Sequence, residues 1–93
     1  MPYIKQDKRR QLDPYLAELA AKVNSEGELN YCIYKISCLL IERLGESYDN
    51  YSMCSSAMEH AKLEWYRRRV APYEDRKIEE NGDIDFKSPH VIL

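Results

Sequence analysis

Glycine and proline are scarce in this chain, three and four among 93 residues, and no apolar run approaches the eighteen or so residues needed to cross a bilayer. Long flexible linkers and membrane-spanning helices are both excluded as organising features. Cysteine occurs three times, at Cys32, Cys38 and Cys54, with no Cys-x-x-Cys or Cys-x-x-x-Cys pair. An odd count inside apolar helical patterns reads as reduced core thiols and points to the cytoplasm. No secretory or transit segment precedes the first helix. Strong charge of one sign is also missing, since 14 Lys and Arg stand against 16 Asp and Glu for a net charge of −2. That balance supplies no basic field for nucleic acid and argues against it as a partner.

What the chain does have is 44% hydrophobic and 32% charged residues, with Tyr making eight of its ten aromatics. This is the composition of one ordinary helical domain, residues 1–93, with an expected radius of gyration of about 12 Å. Tyrosines combine contact area with a hydroxyl that tolerates water, which suits the edge of a core and a protein–protein surface equally. Charge is nonetheless uneven. Lys5 to Arg10 and Lys62 to Arg69 are basic, and Glu74 to Asp85 is acidic. Solvated faces account for this, and complementary contacts between subunits would use it.

The periodicity predicts an all-α fold, a small antiparallel bundle of three main helices plus a short C-terminal helix, near 14–24, 28–44, 51–71 and 73–81. Asp13 followed by Pro14 reads as an N-cap with proline at the first helical position. Leu12, Leu16, Leu19 and Val23 then form one narrow stripe, the mark of a peripheral helix. Ser25 to Gly27 reads as a connection. Helix 2 carries Leu29, Ile33, Ile36, Leu40 and Leu44, widened by Cys32, Leu39, Tyr34, Cys38 and Ile41, and is expected to be central and to stop at a left-handed Gly45. Ser52 or Asp49 would cap helix 3.

Helix 3 is the most informative stretch, because it has two apolar faces. On an α-helical wheel Cys54, Ala57, Met58, Ala61 and Trp65 share one face, and Leu63, Tyr66, Val70 and Tyr73 share another about 120° away. Three helices can hardly cover both. Pro72 should kink the helix or restart it at Tyr73, and Asn81-Gly82 should end it. Residues 84–93 make a tail that either stays flexible or docks Ile84, Phe86, Val91 and Ile92 on a neighbour.

Three segments carry a family resemblance. Met1-Pro2-Tyr3-Ile4-Lys5-Gln6, the helix start at Gly27 to Tyr31, and above all Ala61 to Glu64, Tyr66-Arg67-Arg68, Ala71-Pro72-Tyr73-Glu74-Asp75, Lys77-Ile78 and Glu80 to Asp83 resemble a family of small uncharacterised helical proteins of bacteria, archaea and phages. The resemblance covers most of residues 1–83. It implies a helical fold and no mechanism.

Chemistry is thinly marked. His60 and Glu64 stand at i, i+4 and could share a metal ion, but two ligands do not make a site, and His90 lies far off in the tail. Glu59 lies on the stripe of Leu63 and Tyr66, where burial would raise its pKa; a rim position is the simpler account. Glu80-Asn81-Gly82-Asp83 matches the Glu-x-x-Asp half of the Mg²⁺ set in MazG-like nucleotide pyrophosphatases, without the preceding Glu-x-x-Glu. Trp65, Tyr66 and Arg67 to Arg69 could stack on bases and neutralise phosphates, but the arginines spread over more than about 150°. No histidine is placed to activate a thiol.

The sequence therefore supports no catalytic residue, no cofactor and no metal site. It supports an intracellular homo-oligomeric interaction or scaffold module, a dimer first, whose assembly face is Leu63, Tyr66, Val70 and Tyr73. Burying four such side chains is worth roughly 6–12 kcal/mol before association costs. A MazG-like metal-dependent enzyme and a nucleic-acid-binding accessory protein are the alternatives.

Overall fold

A computed structural model describes residues 1–85, and the tail beyond them, with His90 and the expected docking residues Phe86, Val91 and Ile92, lies outside the described residues. Among the described residues every regular element is helical: α1 (Gln6–Ala20), α2 (Glu26–Leu44), α3 (Tyr48–Trp65), a π-helical turn (Tyr66–Val70) and α4 (Ala71–Asn81). The last three join end to end into one long helix. Two compact units are distinguishable, Met1–Glu59 and a second that begins at His60.

Helix α1 starts eight residues earlier than the Asp13-Pro14 pair suggests, and Pro14 lies inside it. Gln, Lys and Arg are good helix formers, so residues 6–12 propagate helix up to and through the proline. The carbonyl that loses its partner there belongs to Arg10, on an exposed helix where water can satisfy it. Lys5 gives no side-chain cap. An Asp7–Arg10 ion pair at i, i+3 and the Arg9 Nε, which donates to the Ile4 carbonyl at 2.7 Å, hold the first turn instead.

Helix α2 opens two residues before Glu28, because Ser25 is its N-cap. The Glu28 N–H donates to Ser25 Oγ at 3.1 Å, and the Glu28 carboxylate reaches back to accept the Asn24 N–H at 2.7 Å. This is a capping box displaced by one residue. Gly45 ends the helix at φ 101°, ψ 151°, its N–H donating to the Ile41 carbonyl at 2.8 Å. The positive φ requires glycine as expected, although the ψ lies outside the left-handed helical well. Neither Ser52 nor Asp49 caps α3. Ser47 does, its Oγ accepting from the Asn50 N–H at 3.0 Å, while Asn50 Nδ2 donates to the Gly45 carbonyl at 2.9 Å.

Pro72 neither breaks the helix nor restarts it. An α-helical Pro72 would leave the Arg68 carbonyl without a donor and press its ring against it. The preceding turn widens, and the Ala71 N–H donates to Tyr66 O, five residues back. The helix thus passes the proline by taking in an extra residue.

Packing departs furthest from expectation. Helix α1 ends at Ala20, short of the expected 24, and its Leu16 and Leu19, with Val23 beyond its end, line an open apolar depression of about 350 Å³ together with Leu29 and Cys32 of α2. Among the described residues only Cys54, 8% exposed, is a buried hydrophobic. No residue of α2 is buried, and Leu29 and Ile36 keep 52% and 55% exposure. A helix apolar around most of its circumference needs cover on most sides, and the other described residues do not supply it, so α2 is not the buried central helix its pattern suggests.

Candidate functional site

The long helix carries most of the residues that the sequence singles out. A π turn holds one residue more than an α turn, so every position beyond it falls back by about 100° from an uninterrupted wheel. Leu63, Tyr66 and Val70 remain on one broad side. Tyr73 moves from about 80° to about 180° from Leu63, and Ile78, about 60° from Leu63 on an uninterrupted wheel, crosses to about 40° from it on the side of Tyr66 and Val70. Leu63, Tyr66 and Ile78 are all exposed, at 54%, 57% and 41%, and Val70 is half-buried.

Tyr73 sits among cations. The Arg76 guanidinium lies 5.7 Å and the Lys77 ammonium 5.5 Å from its ring centroid, and Arg69 covers Trp65 at 5.9 Å. Such contacts are worth about 0.5–1 kcal/mol each at exposed sites. They place three cations over this helix's own aromatics, of which Arg69 belongs to the Arg67 to Arg69 run. Arg67 is engaged too, its Nε and Nη2 donating to the two Glu64 oxygens at 2.7 and 2.9 Å.

That bidentate pair engages Glu64, which the sequence offers as a candidate, insufficient alone, to share a metal ion with His60. No three His, Cys, Asp or Glu side chains gather to hold a metal among the described residues. Glu80 pairs with Lys77 at 3.3 Å, and Gly82, at φ 91°, lies past the helix end. Glu80 and Asp83 therefore lack the helical spacing of a Glu-x-x-Asp site, and an Asp83 oxygen accepts the Asp85 N–H at 2.9 Å. Glu59 is exposed, a rim residue.

A family model for a domain of unknown function, DUF6899, matches residues 1–84. The chain belongs to this family. The match runs through both compact units, so the DUF6899 domain includes the π turn and Pro72. No curated protein and no solved structure matches it. No helix of the described DUF6899 domain is long and apolar enough to cross a membrane.

One further feature was not read from the sequence. Tyr51 on α3 donates its hydroxyl to Glu46 Oε2 at 2.6 Å, closing the corner after Gly45. The hydrogen bond to Glu46, then burial and the Glu46 charge, push the Tyr51 hydroxyl above its ordinary value of 10.0. A raised acid favours the folded state while protonated, so this contribution is present below pH 10 and fades as pH rises through the shifted value. Tyr51→Phe should remove from an ultraviolet pH titration a component that ionises above pH 10, and Glu46→Gln should bring that component forward; unaltered ionisation in Glu46→Gln would remove Glu46 as the cause.

Proposed function

We propose that this chain is a self-assembling helical module that completes an antiparallel bundle with a second copy of itself, and that Leu63, Tyr66, Val70 and Ile78 lie at the centre of the contact. The observation that carries this reading is that, among the described residues, Cys54 alone is a buried hydrophobic although 44% of the chain is hydrophobic. Monomers rarely leave apolar faces of this extent uncovered. Tyr73, on the far side of the π turn, belongs to a cation-covered rim. The three free thiols suit a reducing compartment, which favours a cytoplasmic setting.

Native mass spectrometry of the untagged protein tests the reading. The expected result is a ligand-free multiple of the 11.0 kDa chain. A monomer at every concentration overturns it, and a retained Mg²⁺ or nucleotide would move the case to the MazG-like alternative.

A further inference from the structure

Three sulfur atoms line one cavity in the first compact unit. Cys38 comes from α2, and Cys54 and Met58 come from α3, in a cavity of about 380 Å³ that Tyr51 also lines. Cys54 and Met58 stand at i, i+4, so their side chains lie one above the other on the same face. Cys54 is buried, and Cys38 is half-buried. Sulfur residues ordinarily fill core gaps, but here they border unfilled space.

The donor set decides what could enter. Among the described residues no carboxylate and no histidine lines the cavity, and its other polar side-chain groups are the hydroxyls of Tyr34, Tyr51, Ser37 and Ser55. Ser37 Oγ already donates to the Ile33 carbonyl at 3.0 Å. Hard cations need several charged oxygens, and Zn²⁺ needs four nitrogen, sulfur or oxygen ligands. Two thiolates and a thioether instead suit a soft ion that accepts low coordination.

We propose that Cys38, Cys54 and Met58 form a site for a soft monovalent cation of the Cu(I) or Ag(I) kind. Binding involves no electron transfer. Each thiol gives its proton to solvent as its sulfur lone pair bonds to the ion, and the Met58 thioether binds without losing a proton. Two thiolates around one monovalent ion leave a single negative charge in the cavity.

Ag(I), which needs no reductant, is the probe. The full chain, reduced and then freed of reductant, is titrated with silver nitrate and followed by native mass spectrometry and by thiol labelling. The expected result is a single retained silver that protects Cys38 and Cys54 from labelling and leaves Cys32 reactive. Cys32→Ser should bind unchanged, and Cys38→Ser should lose the ion. Met58→Leu keeps the bulk of the side chain and should weaken binding at least about tenfold, the scale on which even supporting residues of a metal site are felt. Circular dichroism on each variant separates loss of the site from loss of the fold, and Cys38→Ser and Met58→Leu spare the buried Cys54. Silver that depends on Cys32, or that ignores Met58→Leu in a folded variant, overturns the proposal.

Discussion

Diluting the purified protein a hundredfold should lower its melting temperature by roughly 5–10 °C. The argument starts from burial. With Cys54 the single buried hydrophobic among the described residues, the chain's own packing supplies little of the area-dependent stabilisation a fold requires. If a second copy supplies the rest, folding and association are one equilibrium, and a hundredfold change in concentration changes the stability of the pair by about 2.7 kcal/mol. Two chains of 93 residues melting together form a unit for which 1 kcal/mol corresponds to about 2–4 °C. Calorimetry or circular dichroism at two concentrations reads the shift directly. A melting temperature independent of concentration would mean that the chain is stable alone or that its assembly survives melting, and sedimentation at the same concentrations separates the two.

The second large effect concerns which side of the long helix is used. Leu63→Asp and Ile78→Asp should each weaken self-association by at least about a hundredfold, and Tyr66→Glu should act in the same direction. In a two-fold symmetric contact each substitution is made twice. Removing a buried Leu or Ile costs roughly 1.5–3 kcal/mol per copy, so the pair loses about 3 kcal/mol or more, and every 1.4 kcal/mol is tenfold. Tyr73→Ala should change the dissociation constant less than about tenfold, because its ring is held by Arg76 and Lys77 on the other side. Sedimentation equilibrium measures all four. If Tyr73→Ala were as damaging as Leu63→Asp, the contact would follow an uninterrupted α-helical wheel and the π turn would have no part in it.

The helical class and the stops at Gly45 and Gly82 are legible in the sequence because they rest on local rules: period, and a positive φ that glycine alone adopts freely. The start of α2 was equally legible, since Ser25 and Glu28 have the spacing of a capping box, and reading Ser25 to Gly27 as a connection overlooks it. Pro14 misleads for a different reason. Proline is favoured at the first turn, but that preference says nothing about whether good helix formers upstream will carry the helix back to Gln6. Pro72 presents the opposite problem. A kink, a break and a widened turn all relieve the same clash, and only the coordinates choose among them. That choice decides whether Tyr73 shares a side with Leu63 or faces away from it, and on which flank of Leu63 Ile78 lies, so the composition of the proposed face could not be settled by a wheel. The sulfur cavity needs α2 and α3 side by side, a relation between elements that no local rule contains.

The shortage of buried side chains also sets an order of events in time. The hydrogen bonds that close the helix ends, from Ser25, Ser47, Gly45 and Tyr51, all join residues within five positions of one another. Elements of this kind form in about a microsecond once the chain is released. Under the proposed assembly they then wait for an encounter, so the slow phase of refolding is second-order, its half-time shortening in proportion as protein concentration rises.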